Sequence, residues 1–127
     1  MKYFLISLFF VLVSSCIKQK TEGVNVVDAT VFEQSLTIEN AQVVDARTAS
    51  EYATGKIPNA INIDVLEDDF STKVAQFNKT KPILVYCKSG VRSAKATAIL
   101  KELGFTTIYE LEGGITSWNT QGKPIED

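Results

Sequence analysis

The chain has 127 residues, of which 13 are basic and 15 acidic, for a formal net charge of −2 at pH 7. This length suffices for one domain with a hydrophobic core, and the mildly acidic balance gives no indication of nucleic acid as a partner. The absence of histidine excludes Cys-His and Ser-His-Asp catalytic arrangements, and with only two cysteines it also argues against a zinc site.

The N-terminal segment has the features of an export signal. Lys2 precedes an apolar run from Tyr3 to Val13, which is too short for a stable membrane-spanning anchor and is typical of a secretory signal peptide. The sequence Val13-Ser14-Ser15-Cys16 that follows resembles a bacterial lipobox. This resemblance implies cleavage before Cys16 and lipidation of Cys16. Ordinary signal cleavage nearby and an uncleaved anchor are the alternatives.

We therefore expect three segments along the chain. Residues 1–15 are predicted to be a lipoprotein signal peptide, residues 16–23 a lipidated polar tether, and residues 24–127 the folded domain. The protein would be exported and held by its lipid at the periplasmic or outer face of a bacterial membrane.

Short apolar runs alternate with segments of helical character. The runs that predict strands are 24–27, 41–45, 61–63, 83–86 and 105–109. Because strands that alternate with helices form parallel sheets covered on both faces, the pattern predicts an α/β domain with a mostly parallel five-stranded sheet. In such sheets the ligand lies beyond the carboxyl ends of the strands.

The helix starts are predicted from capping signals. Thr30 and Thr48 are each followed three residues later by glutamate, at Glu33 and Glu51, which is the spacing of a capping box. Asp64 is a plausible N-cap for a third helix.

Two of the predicted helices carry an apolar face at helical spacing. The third helix would present Leu66, Phe70, Val74 and Phe77 to the core. The fourth helix, residues 93–103, would pack through Ala94, Ala98, Ile99 and Leu103. A last short helix is predicted over residues 115–119.

The candidate functional stretch is Cys87-Lys88-Ser89-Gly90-Val91-Arg92, between the strand 83–86 and the fourth helix. A thiol at this junction faces the unpaired N–H groups and the positive dipole end of the helix, and both lower a thiol pKa. Successive N–H groups from Lys88 to Arg92 would form an anion-binding nest, with freedom from Gly90 and charge from Lys88 and Arg92. The ligand would be a small oxyanion that a thiolate can attack, by phosphoryl transfer or by sulfur transfer.

Three separated motifs carry a family resemblance. The first is Asp45-Ala46-Arg47, the second is the loop from Cys87 to Arg92, followed by Ser93, and the third is Leu111-Glu112-Gly113-Gly114 with Trp118. The first motif continues through Glu51-Tyr52, Gly55-Lys56-Ile57-Pro58, Ala60 and Asn62. In this order they resemble the single-domain rhodanese, thiosulfate sulfurtransferase-like family, from about Val26 to the C-terminus. Lys56 departs from the pattern, since many members have histidine there, and we expect little effect on the chemistry.

The resemblance implies a mechanism and a set of roles. Loops of sulfurtransferases in this superfamily have six residues, as here, whereas related phosphatases have one more. Cys87 would accept the outer sulfur of thiosulfate as a persulfide and pass it to a thiol or to cyanide, without a metal or organic cofactor. Backbone amides of Lys88, Ser89, Gly90, Val91 and Arg92 would stabilise the persulfide, and the two cations would hold the donor. Structural support is expected from Asp45, Arg47, Gly113, Gly114 and Trp118, in a protein expected to be a monomer.

Two alternatives belong to other classes of function. A phosphatase or arsenate reductase-like enzyme could use the same loop, although the loop length and the missing resolving cysteine argue against it. A non-enzymatic binding or sulfur-relay module would serve another exported protein.

Overall fold

Five strands and five helices alternate along residues 22–127, the part of the chain that the computed structural model describes. The strands β1 to β5 are Val24–Val27, Gln42–Asp45, Ile61–Asn62, Ile83–Tyr86 and Ile108–Leu111. The helices α1 to α5 are Ala29–Ser35, Ala49–Ala53, Phe70–Val74, Val91–Glu102 and Gly114–Thr120.

The predictions of a signal peptide over residues 1–15, a lipidated Cys16 and most of the tether lie outside the described residues. The last two tether residues contact the domain. The backbone oxygen of Glu22 accepts a hydrogen bond from the Lys101 ammonium, and that of Gly23 accepts one from Ile108 N–H at 2.9 Å. None of the helices in residues 22–127 has the length and apolar character to cross a membrane.

All strand pairs of the sheet are parallel, in the order β1-β5-β4-β2-β3. This confirms the predicted fold class. The central strand β4 is buried along its whole length, which explains its unbroken run of Ile, Leu, Val and Tyr. Its carboxyl end leads directly into the loop that begins at Cys87.

A separate hydrophobic core covers each face of the sheet. On one face α3 and α4 contribute Phe70, Val74, Ala96 and Leu100. On the other face α1 and α5 contribute Ala29, Phe32, Ile115 and Trp118. Because side chains alternate between the two faces of a strand, β4 supplies both cores.

Only one of the three predicted helix starts is confirmed. Thr48 and Glu51 form the capping box at α2. The prediction for α1 is wrong, because Asp28 reaches the orphan N–H of Val31 at 2.9 Å and takes the N-cap position in place of Thr30. Asp64 caps a turn by accepting from Leu66 N–H at 2.9 Å, and α3 begins later, at Phe70.

The packing faces of α3 and α4 also differ from prediction. In the α3 segment Phe70 and Val74 are buried, but Leu66 lies before the helix and is 58% exposed. The buried residues of α4 are Ser93, Ala96, Thr97 and Leu100. Of the predicted packing set, Ile99 and Leu103 are partly buried and pack against the core, whereas Ala94 and Ala98 are exposed. Alanines mark a face weakly, and the buried hydroxyls are satisfied by hydrogen bonds inside the domain.

The fifth strand begins later than predicted. It covers Ile108–Leu111 and not 105–109. Phe105 is nevertheless buried, because it enters the core from the loop that precedes the strand. This shift places Glu110 inside the strand, directly opposite Val85 of β4.

Candidate active site

Cys87 lies at the carboxyl end of β4, just before the first turn of α4. Its side chain is 1% exposed. Gly90 is the N-cap residue of α4 and has φ +102°, a left-handed conformation that glycine adopts without strain. The chain can therefore turn tightly around the sulfur, as the sequence predicted for this stretch.

Two polar groups contact the sulfur of Cys87. Gly90 N–H donates to Sγ at an N···S distance of 3.0 Å, and the thiol donates to the hydroxyl oxygen of Ser93 at an S···O distance of 3.4 Å. Burial alone would raise the pKa of the Cys87 thiol, but hydrogen bonds from the Ser93 side chain and from the backbone of Ser93, Gly90 and Ser89 outweigh it. The pKa therefore lies below its usual value, which favours the thiolate.

The N-terminus of α5 donates hydrogen bonds to the backbone carbonyls at the start of this loop. Ile115 N–H donates to the Cys87 carbonyl at 2.9 Å, and Thr116 N–H donates to the Lys88 carbonyl at 3.0 Å. Because a trans peptide points its C=O and N–H in opposite directions, carbonyls that face α5 leave the following N–H groups directed away from α5. The α5 contact thus helps to orient the amides of the loop.

The glycine pair Gly113-Gly114 makes that approach possible. A Cβ on Gly114 would lie 2.5 Å from the carbonyl oxygens of both Cys87 and Lys88, a separation that real Cβ atoms do not adopt. Trp118 lies in the same helix, fully buried, with its indole N–H donating to the Pro124 carbonyl at 2.8 Å.

Arg92 binds the carboxylate of Glu51 with both of its terminal nitrogens, at 2.6 Å and 2.9 Å. Glu51 also accepts from the backbone of Thr48, as part of the α2 capping box. The hydrogen bonds from Arg92 lower the pKa of Glu51 to about 2. Arg92 therefore connects the loop to α2. The negative charge of a Cys87 thiolate also raises the pKa of Arg92.

Asp45 and Arg47 form a buried ion pair next to the loop, with Nη2 and Oδ2 2.7 Å apart. Arg47 also donates to the carbonyl of Gly55 at 2.7 Å. The hydroxyl of Tyr86 donates to Asp45 at 2.7 Å and accepts from Ile57 N–H at 3.1 Å. This network fastens the chain between β2 and β3 to the strand that carries Cys87.

The rim of the site is exposed and partly cationic. Lys88, Ser89 and Val91 are exposed to solvent. Lys88 also lines an open groove of about 460 Å³ together with Arg47, Glu51, Thr54, Thr116 and Asn119. Lys88 is the loop residue that lines this groove, and Cys87 does not line it.

Two functional contacts were not predicted from the sequence. Ser93, which follows the loop in the second motif but was given no role of its own, contacts the sulfur. Glu110 is buried and accepts a hydrogen bond from Ser93 at 2.7 Å. A glutamate within an otherwise apolar strand is the signal that could have identified Glu110. Within residues 22–127, no group of three or more His, Cys, Asp or Glu side chains is arranged to hold a metal ion.

Fold and site together define a class of protein: an α/β domain in which a loop at the end of the central strand holds a buried thiol. Residues 28–121 match the family described as the Rhodanese-like domain. The chain belongs to this family, as its three motifs predicted.

The relatives include one enzyme named for sulfur transfer and others named for hydroxylation of tRNA. A sulfurtransferase from Allochromatium vinosum is 34% identical over 103 residues, which cover 80% of this chain and 94% of the relative. A tRNA uridine(34) hydroxylase from Pelagibacter ubique is 30% identical over 103 residues, which cover 80% of this chain but 34% of the hydroxylase. The chain thus spans about a third of the length of that hydroxylase.

Solved structures show the same fold. A rhodanese-related protein from Thermoplasma volcanium is 31% identical, with a TM-score of 0.71 over 80% of this chain and 97% of that chain. A rhodanese-like domain protein from Staphylococcus aureus is 32% identical, with a TM-score of 0.68 over 81% of this chain and 99% of that chain.

Proposed function

We propose that this protein is a thiosulfate sulfurtransferase that forms a persulfide on Cys87. The observation that carries the proposal is the pair of polar groups at Sγ: Gly90 N–H, which donates to it at 3.0 Å, and the Ser93 hydroxyl, 3.4 Å away. These groups favour a thiolate, and the other N–H groups of the loop would stabilise the charge on the outer sulfur of a persulfide. The six-residue length of the loop and the similarity to a relative named sulfurtransferase support sulfur as the transferred atom.

The reaction begins with attack of the Cys87 thiolate on the outer sulfur of thiosulfate. A new S–S bond forms at Sγ, the S–S bond of thiosulfate breaks, and sulfite leaves with the electron pair of that bond. A second thiolate, or cyanide in an assay, then removes the terminal sulfur and regenerates the Cys87 thiolate.

The two cations of the loop have different roles in this proposal. Arg92 is bound by Glu51 through two hydrogen bonds, so it fixes the loop against α2. Lys88 is exposed at the groove and attracts the dianionic donor. The network of Asp45, Arg47 and Tyr86 holds the neighbouring wall.

Intact-mass spectrometry tests the proposal directly. The purified protein is incubated with thiosulfate, and we expect its mass to rise by one sulfur atom, which cyanide or a thiol then removes. Cys87→Ser is the control and should gain no sulfur. A wild-type protein that gains no sulfur but hydrolyses an aryl phosphate in a Cys87-dependent manner would replace this proposal with the phosphatase alternative. Loading from a persulfidated protein only, with free thiosulfate inert, would indicate a sulfur relay.

We also propose that the protein is an exported lipoprotein, anchored through Cys16. The support is the sequence alone: an apolar segment followed by Val13-Ser14-Ser15-Cys16. Labelling of the expressed protein with a fatty-acid analogue should give a membrane-associated, labelled product. Cys16→Ala should lose the label, and a membrane-bound, labelled Cys16→Ala protein would contradict the proposal.

A further inference from the structure

The buried carboxyl group of Glu110 lies one side chain away from the sulfur of Cys87. Glu110 is 7% exposed, and the strands on either side place Val26 and Val85 opposite it. Its Oε1 accepts a hydrogen bond from the hydroxyl of Ser93 at 2.7 Å. Burial raises the pKa of Glu110, and the hydrogen bond from Ser93 offsets this only in part.

Ser93 has a single hydroxyl proton but three acceptors around it. The distances from Ser93 Oγ are 2.7 Å to Oε1 of Glu110, 3.1 Å to the carbonyl of Gly90 and 3.4 Å to Sγ of Cys87. An ionised Glu110 would accept this proton, and so would a Cys87 thiolate, which otherwise accepts from Gly90 N–H. Because a hydroxyl donates one strong hydrogen bond at a time, Ser93 cannot donate to both anions together.

We propose that Glu110 and Cys87 share one proton through the hydroxyl of Ser93, which makes Glu110 a positioning residue that sets the ionisation of the nucleophile. In the transfer, the S–H bond of Cys87 breaks and its proton passes to Ser93 Oγ. Ser93 releases its own proton to Oε1 of Glu110. The product is a thiolate that accepts from Ser93, with a neutral carboxyl group that donates to Ser93.

The shared proton keeps the charge of the site constant while the thiolate forms. A thiolate beside an ionised Glu110 would place two negative charges beneath an incoming dianion, and like charges in a buried site repel strongly. When Glu110 is neutral, the site holds only the negative charge of the thiolate. The repulsion of an anionic donor rests on the proposed function, whereas the proton coupling between Glu110 and Cys87 does not.

The other charged groups near Cys87, Ser93 and Glu110 are either paired or exposed to solvent. Arg92, whose charge interacts with Cys87, is paired with Glu51. Lys88 in the loop and Lys95 on α4 are exposed to solvent. The strands β1 and β4 present valines to Glu110. Coupling is therefore expected to run between Glu110 and Cys87 through Ser93.

The pH dependence of Cys87 alkylation by iodoacetamide measures this coupling without any sulfur donor. The full-length protein is used, and mass spectrometry of the peptide that contains Cys87 separates its reaction from that of Cys16. We compare wild type, Glu110→Gln, Ser93→Ala and the double variant. Glu102→Gln, an exposed glutamate at the end of α4, is the matched control and should behave as wild type.

We expect two coupled ionisations in the wild-type profile and a single one in Glu110→Gln. The amide of glutamine cannot ionise and can donate to Ser93 permanently, so the thiol pKa should fall by about one unit. At a pH below the thiol pKa of both proteins, Cys87 would be alkylated about tenfold faster in Glu110→Gln than in wild type. Ser93→Ala should raise the thiol pKa, and adding Glu110→Gln should then change it little. If Glu110→Gln shifts the thiol pKa equally in the wild-type and Ser93→Ala proteins, the effect is direct charge repulsion and not transfer through Ser93. If it shifts the thiol pKa in neither protein, the two groups are not coupled. Each result overturns the proposal.

A measurement on the wild-type protein does not depend on the folding of a variant. Infrared spectroscopy detects the carbonyl stretch of a protonated, buried carboxyl group. Since coupling between two sites is reciprocal, alkylation of Cys87 should shift the loss of this band to lower pH. An unchanged titration of the band after alkylation would contradict a shared proton. Because neither measurement involves thiosulfate, a failure here is distinguishable from a failure of the sulfurtransferase proposal.

Discussion

Replacing Gly114 by alanine should disrupt the active-site loop from outside. The new Cβ would lie 2.5 Å from two carbonyl oxygens of the loop, whereas a carbon–oxygen contact needs about 3.3 Å. The N-terminus of α5 must therefore retreat by about 0.8 Å, from the difference between these two values. The hydrogen bonds from Ile115 and Thr116, at 2.9 and 3.0 Å, would then stretch beyond the limit of about 3.2 Å for an N–H···O bond.

The loss of stability can be estimated from these contacts. Gly114 has φ +58°, and a side chain in this left-handed region costs about 1–2 kcal/mol. Two lost backbone hydrogen bonds add about 1 kcal/mol each. We therefore expect the free energy of unfolding to fall by about 3–4 kcal/mol.

Gly122 provides a matched control in the same part of the chain. It has a similar φ of +67°, but a Cβ there would meet no atom within 4 Å. Gly122→Ala should thus lose only the conformational part, about 1–2 kcal/mol, and keep the rate of persulfide formation. Urea denaturation measures the stability of both variants, and intact mass follows the sulfur uptake. If Gly114→Ala matches Gly122→Ala in stability, or retains the wild-type rate, α5 does not support the loop as described.

Three further predictions concern the neighbours of the loop. Glu51→Gln should lower the free energy of unfolding at pH 7 by about 1–2 kcal/mol, a value discounted for the partial exposure of the pair with Arg92. Because the folded pKa of Glu51 is depressed to about 2, this contribution is present above the unfolded pKa and is lost as pH falls toward 2, so acid denaturation curves should converge there. Tyr86→Phe removes a donor to Asp45 and an acceptor for a backbone N–H, and chemical denaturation should show a loss of about 1–3 kcal/mol. Lys88→Ala should raise KM for thiosulfate about 5- to 10-fold with a smaller change in kcat, an effect that weakens at high salt.

Each of these three has an outcome that contradicts it. A difference between Glu51→Gln and wild type that persists unchanged at pH 2 would mean that the ion pair is not its source. A Tyr86→Phe protein as stable as wild type would show that the buried hydroxyl is replaceable. A KM that is unaffected by Lys88→Ala at low salt would place the donor away from the groove that Lys88 lines.

Local patterns in the sequence predicted the features that depend on near neighbours. The apolar runs identified four of the five strands to within a residue or so. The clearest of them is β4, because a strand that is buried along its whole length must be apolar throughout. The capping box of Thr48 and Glu51 was predictable because its hydrogen bonds span three residues. The position of Cys87 at the end of a strand was predictable because the thiol comes directly after the apolar run of β4.

Contacts between distant segments do not follow from local sequence patterns. The partner of Arg92 is Glu51, which is 41 residues away, and the partner of Ser93 is Glu110, which is 17 residues away. The burial of Ser93 on α4 is stabilised by such a contact, because its hydroxyl donates to Glu110 at 2.7 Å.

The sequence by itself determined the α/β class, the family, and the identity of the nucleophile, because these follow from local periodicity and from motifs with their own spacing. Only the tertiary structure decided what surrounds the nucleophile. It assigned Arg92 to a structural ion pair, brought α5 against the loop through Gly114, and placed the carboxyl group of Glu110 behind Ser93. The physical reason is that sheet order and register, which no short stretch of sequence encodes, bring these distant side chains to one end of the sheet.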